Sequence, residues 1–155
     1  MSIGIRRATM EDAVTVASLY VELKHHHRRL APSAERYQVD DSAWEQVAIE
    51  SLRDPETTIF VAEVDERVVG FVKLELVPKP WGTSCEIATL IIENEMRGRG
   101  IGLALLRRSE DFARQVRAQA MRVDVLHTNE PGRAFYEREG YELFAVRYGK
   151  PVRPG

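Results

Sequence analysis

The chain of 155 residues holds a single cysteine, Cys85, so neither an internal disulfide nor a cysteine-based zinc cluster can form. It has no apolar run of membrane-spanning length, and no apolar stretch of signal-peptide length follows the basic residues Arg6 and Arg7. A cytoplasmic protein with no membrane partner is the expectation. An excess of either charge is also missing. Lys and Arg number 22 against 24 Asp and Glu, a formal net charge of -2, which excludes a whole-molecule field for nucleic acid or anionic lipid. Metal-ligand spacing is absent as well: His25, His26 and His27 are consecutive, and on a helix neighbours diverge by about 100°. No histidine lies four residues from another, and no metal is expected. There is no internal repeat and no low-complexity segment. What remains, 44% hydrophobic and 30% charged residues, describes a soluble globular protein. Its length suits one domain spanning residues 1–155, with a real core.

Residues 3–8 read as a short strand, after which Thr9 and Asp12 stand in capping-box spacing before a helix with the stripe Ala13, Val16, Tyr20, Leu23, His27 and Leu30. Residues 31–41 read as an irregular connection. Ser42 and Glu45 then form a capping box for a second helix, with Trp44, Val47, Ala48 and Leu52 on one face and Pro55 closing it. Residues 58–64 and 68–77 read as a hairpin joined by Asp65-Glu66-Arg67, followed by a loop over residues 78–83 that carries Trp81. A central strand over residues 85–92 leads to a helix starting at Ile101, with Ile101, Leu105, Phe112 and Val116 inward and Arg107, Arg108, Arg114 and Arg117 outward. A strand over residues 121–126, a helix opened by Asn129 and Pro131 and stopped by Gly140, and a last strand over residues 141–148 complete the reading.

The most informative stretch is Arg97-Gly98-Arg99-Gly100-Ile101-Gly102, set between the apolar run of residues 87–92 and the helix behind it. Alternating glycines let consecutive backbone N–H groups turn toward one point, and the helix start adds its unpaired donors and positive dipole end. Such a turn can cradle a phosphate, or it can be an ordinary tight connection. A dinucleotide fingerprint would need glycine at Leu103, and a P-loop would need Lys-Ser/Thr where Leu103-Ala104 stand.

The pattern R-x-x-G-x-G over Arg97 to Gly102 resembles the acetyl-CoA loop of the GNAT acetyltransferase superfamily. A second segment, Asn129-x-x-Gly132-x-x-Phe135-Tyr136-Glu137-x-x-Gly140-Tyr141, is similar to that family's N-x-x-A-x-x-[FL]-Y-E-x-x-G-[FY], with Gly132 where Ala is usual. The order of elements resembles the GNAT fold over nearly the whole chain. That implies an α/β (α+β) protein with a central mixed, mostly antiparallel sheet flanked by about four helices. The resemblance further implies acetyl-CoA as co-substrate, no metal, and direct transfer of acetyl to a primary amine in a ternary complex. The pantetheine arm would lie along Leu90, Ile91 and Ile92. Its diphosphate would sit on the N–H groups of Arg97, Gly98, Arg99, Gly100, Ile101 and Gly102, with Arg97 and Arg99 as counter-charges. Phe135 and Tyr136 belong to the cofactor side by the same motif. Tyr136 matches the family's general acid at the thioester sulfur, its plain alternative being a packed tyrosine. Asn129 would bond the cofactor arm or an ordered water, cap the helix, or do both. Glu86 stands where some members carry a base glutamate, a water relay being the alternative.

The acceptor is expected to be a small-molecule or peptide amine, entering near residues 31–41 and 78–84, where Glu35, Tyr37, Asp40, Asp41 and Trp81 would suit a cation. Asp40 and Asp41 also fit as the acids that precede a helix. A homodimer is left open. The rival reading is a non-catalytic acyl-CoA-binding or sensing domain, against which the intact Tyr136 counts. A nucleic-acid module on the basic residues 24–29 lacks interleaved aromatics, and no nucleic-acid partner is expected. Cys85 has no cationic neighbour to make it a thiolate, and strand alternation turns it away from the face that Glu86 takes.

Overall fold

The computed structural model describes residues 1–30 and 40–152. The expected connection at residues 31–41, with Glu35 and Tyr37, falls largely outside them. Among the described residues, five strands form one sheet in sequence order: β1 (Ile3–Arg7), β2 (Thr57–Val64), β3 (Arg67–Lys79), β4 (Gly82–Ile92) and β5 (Ala120–Val123). The first four are antiparallel neighbours, whereas β5 joins β4 in parallel. The helices are α1 (Ala13–Leu30), α2 (Trp44–Arg53), α3 (Ile101–Gln115) and α4 (Glu130–Arg138). This is the α/β architecture, mixed but mostly antiparallel, that the order of elements implied.

Strand alternation sends side chains to two cores. Phe60, Ala62, Val72, Leu74, Cys85 and Ile87 pack with Ile101, Leu105, Leu106 and Phe112 of α3 and Tyr136 of α4. Ile59, Val61, Phe71 and Ile91 point to the other face and meet Val16, Leu19 and Tyr20 of α1 and Trp44 and Ala48 of α2. Tyr20 stacks on Trp44 at 4.8 Å and meets Phe71 edge-on at 5.1 Å. Before α1, the Thr9 N–H donates to Asp12 Oδ2 at 2.7 Å, and Arg6 grips the same carboxylate at 2.8 and 2.9 Å. The guanidinium holds Asp12 below the usual carboxylate range.

Several expectations need correction. Ser42 does not cap the second helix: a 3₁₀ turn over Asp41–Ala43 precedes α2, Asp40 caps that turn with its Oδ1 accepting the Ser42 N–H at 3.1 Å, and α2 itself follows Ala43 with no side-chain cap. The expected loop at residues 78–83 is strand except for the turn Pro80-Trp81. Pro78 is tolerated there because the β2 ladder ends at Thr57↔Glu75, leaving the end of β3 unpaired on that side. The strand expected at 121–126 stops at Val123. Val116 lies past the end of α3 and is exposed, while Leu106 and Ser109 take inward positions. Arg108 does not simply face water; its guanidinium lies 4.3 Å from the Phe60 ring. Residues 141–148 form no strand. Tyr141 turns back to α3, and Leu143, Phe144, Val146 and Tyr148 are exposed beside a β5 only four residues long.

Candidate active site

The sheet splits between β4 and β5. Pairing runs from Ser84↔Ala120 to Ile87↔Val123 and stops, while β4 continues to Ile92. A bulge places Ala88 out of register with β3, between Lys73↔Thr89 and Leu74↔Ile87. Beyond it one edge of β4 is open. The Glu93 N–H still reaches the Val69 carbonyl at 2.8 Å, so by two-residue alternation Ile91 faces β3, and the N–H and C=O of Leu90 and Ile92 face the split. Leu90 and Ile92 thus offer backbone groups to a ligand strand, while Ile91 contributes a side chain buried against α1 and α2.

Two glycines shape the loop that follows. Gly98 and Gly100 have φ of +75° and +83°, and a Cβ on either would meet nothing within 4 Å. Conformation, not crowding, calls for glycine there. Gly100 is the N-cap of α3 and no side chain caps it, so the first-turn N–H groups around Ile101 and Gly102 stay open to an anion. A Cβ on Gly102 would stand 3.8 Å from the Phe135 ring and 3.9 Å from Ile92, so β4, α3 and α4 converge at that point.

The two arginines of the loop diverge. Arg97 turns to the split, where its Nε donates to the Ile92 carbonyl at 3.1 Å. Arg99 instead lines a hollow of about 340 Å³ with Met1, Val64, Asp65, Arg67 and Met96.

Tyr136 is brought in by α4, which is fastened to α3 at its C-terminal end. Arg107 pairs with Glu139 at 2.8 Å, and the Tyr141 hydroxyl donates to Glu110 at 3.0 Å. The Tyr136 ring is buried between Phe135 and Tyr141, and no described residue hydrogen-bonds its hydroxyl. Burial pushes its phenol well above the ordinary tyrosine value, so it stays protonated. Asn129 caps α4, its Oδ1 accepting the Gly132 N–H at 3.1 Å. An alanine Cβ at 132 would come within 2.5 Å of the Asn129 amide, so the unusual glycine gives the cap its room.

Glu86 sits one residue before the vertex of the split, on the α1/α2 face. Ser84 Oγ donates to its Oε2 at 2.5 Å, and Arg122 of β5 stands 3.9 Å away. Cys85 faces the opposite core and is fully buried, its thiol pushed up to about 11 by burial and by Glu86. Trp81 is exposed at the far end of β4 from the glycine loop. Asp41 makes a surface contact with His25 at 3.2 Å.

One residue that shapes this site went unread in the sequence. Gly70 in β3 lies so close to β4 that a Cβ would meet the Ile91 carbonyl at 2.8 Å and Ile92 Cδ1 at 2.7 Å. A lone glycine inside Val-Val-Gly-Phe-Val was the available signal of a close backbone approach.

Residues 14–141 match the model of the acetyltransferase (GNAT) family. The chain is 27% identical to an uncharacterized N-acetyltransferase, YhfO, of Bacillus subtilis, over 90% of this chain and 89% of that protein. It is 28% identical to the aminoalkylphosphonate N-acetyltransferase of Salmonella typhimurium, over 96% and 90%. Among solved structures, that of a possible acetyltransferase from Clostridium difficile superposes with a TM-score of 0.78 at 23% identity, covering 99% of this chain and all of that one, a likeness of fold.

Proposed function

The chain belongs to the GNAT acetyltransferase family and is an N-acetyltransferase, and from that premise we propose that it moves acetyl from acetyl-CoA to a primary amine by direct transfer in a ternary complex. The observation that carries this reading is the split itself: an edge without a strand partner at Leu90 and Ile92 that opens onto a positive-φ glycine loop at a helix N-terminus. A pantetheine arm can add to that edge as a strand, and a diphosphate can take the N–H groups of residues 97–102. Acetyl-CoA supplies a thioester carbonyl for the amine to attack. This chain's residues orient the two partners, which can supply several kcal/mol of the barrier, up to ~10.

Glu86, one residue before the vertex, takes the ammonium proton, directly or through water, with Ser84 hydrogen-bonded to its carboxylate and Arg122 3.9 Å away. The amine nitrogen then forms its bond to the carbonyl carbon, the carbon–sulfur bond breaks as the protonated phenol of Tyr136 hands its proton to the departing sulfur, and the second proton of the nitrogen passes to the phenolate, which restores Tyr136. Asn129 holds the start of α4 and thereby the position of Tyr136. The acceptor enters on the α1/α2 face, where Lys73, Glu75, Glu86 and Arg122 give a mixed-charge floor. An amine that also carries an anionic group matches this floor, as does the aminoalkylphosphonate named for the Salmonella relative. The described residues act as one domain, in the cytoplasm.

Initial rates with acetyl-CoA and a panel of small amines, aminoalkylphosphonates and peptides test the proposal. Intersecting lines with CoA release are expected. CoA binding without turnover on any amine would move the protein to a sensing role, and parallel lines would replace direct transfer by an acetyl-enzyme.

A further inference from the structure

Helix α1 bridges the two rims of the split. Glu22 Oε1 accepts the Asn94 backbone N–H at 2.7 Å, on the rim that follows β4. Eight residues on, the Leu30 carbonyl accepts the Thr128 hydroxyl at 2.8 Å, on the rim that follows β5. Residues 22, 26 and 30 recur every four positions and share one helix face. The residue midway between the two ties is His26, half-buried, with Arg97 among the charges that disfavour its imidazolium. The second arginine of the loop, Arg99, lines a different hollow with Met1, Val64, Asp65, Arg67 and Met96.

We propose that His26 is a binding residue of the cofactor site: held by α1 midway between the two rims of the split, its imidazole hydrogen-bonds the diphosphate of CoA. The inference rests on the reading of the split as a CoA site. In the free protein, burial first and then the charges of Arg97 and Arg29 hold the imidazole below its ordinary range, with Glu22 opposing them. His27, the neighbouring imidazole on α1, is likewise depressed. A diphosphate placed between Arg97 and His26 reverses that balance, because it neutralises the guanidinium and gives the imidazolium an anionic acceptor. Binding therefore takes up a proton, and affinity falls as pH rises through the His26 value in the complex.

The test is calorimetric titration with CoA near pH ~6.5, in two buffers of different ionisation heat, for the native chain and His26→Gln. Titration of CoA's own phosphates is common to both proteins, so the difference between them reports His26. The native chain is expected to take up more protons than the variant, and His26→Gln to bind CoA about tenfold more weakly. Pantetheine, which lacks phosphate, is expected to bind both equally. His26→Arg, a permanent cation, is expected to recover affinity without the proton uptake. Equal affinity and equal proton uptake in the native chain and His26→Gln would overturn the assignment and leave the CoA site standing. A native chain that binds no CoA would overturn both.

Discussion

The two edges of β4 teach different things. On the β3 side ten residue pairs run from Gly70↔Ile92 to Lys79↔Gly82, interrupted only by the bulge at Ala88. On the β5 side four pairs run in parallel and the ladder ends at Ile87↔Val123. One edge satisfies its own backbone groups and anchors two hydrophobic cores. The other has no strand partner beyond Ile87; Arg97 meets the Ile92 carbonyl, and the remaining donors and acceptors face a gap, which is costly unless water or a ligand meets them. On the proposed reading, stability and ligand capture are divided between the two edges of one strand, and substitutions on the two sides are expected to fail differently.

The largest effect belongs to the closed edge. Phe71 is fully buried opposite Ile91, against Tyr20. Phe71→Ala is expected to cost about 3–5 kcal/mol in denaturant unfolding. A loss near zero would mean that this ladder does not carry the fold. Next comes the open edge. Tyr136→Phe keeps the ring and removes the proton donor, so turnover is expected to fall by roughly 10²-fold with CoA affinity nearly intact. Unchanged turnover, measured where chemistry limits the rate, would return Tyr136 to packing.

Acid sharpens the contrast further, because the start of the sheet carries the Arg6–Asp12 pair. Asp12 has a folded value below its ordinary 3.8, so its contribution is fully present above that pH and is lost as pH falls through the folded value. Asp12→Asn is expected to cost about 1 kcal/mol at neutral pH, since Arg6 is partly exposed. The gap to the native chain is expected to close below about pH 4. A pH-independent gap would show that charge is not the cause. The smallest effect is at Cys85, buried on the face away from Glu86. Cys85→Ala is expected to keep full turnover and lose about 1 kcal/mol of stability; a dead variant would demand an acetyl-cysteine.

How legible these regions are in the sequence follows from how local their causes are. The glycine loop, the Asp65-Glu66 turn and the stop at Gly140 could be read because each is a local demand of the backbone; all but Arg67 of the expected hairpin link is turn, with φ of +51° and +64° at Asp65 and Glu66. The capping-box spacing of Ser42 and Glu45 does not decide the start of α2, because Ser42 lies inside a 3₁₀ turn that Asp40 caps and α2 begins only after Ala43. The expected last strand does not form: Leu143, Phe144, Val146 and Tyr148 have strand character, but a strand needs a partner, and β5 ends at Val123. Within the candidate site, Arg97 and Arg99 look equivalent in sequence, and their divergence depends on what each meets across the fold. His26 was hidden for the same reason: a place over the split exists only once α1 spans both rims.

The central claim is that the open edge of β4 and its glycine loop form a CoA site. It is tested most directly by thermal melting of the native chain and Gly100→Glu with acetyl-CoA, CoA, NAD and ATP. Gly100 has φ +83°, so glutamate there adds strain as well as a like charge at the cradle. The native chain is expected to gain ~2.7 kcal/mol from either CoA species at one hundred times its dissociation constant, a shift of several degrees, and nothing from NAD or ATP. Gly100→Glu is expected to stay folded and show no shift. A native chain indifferent to both CoA species, or a folded Gly100→Glu that responds to them in full, would contradict the account.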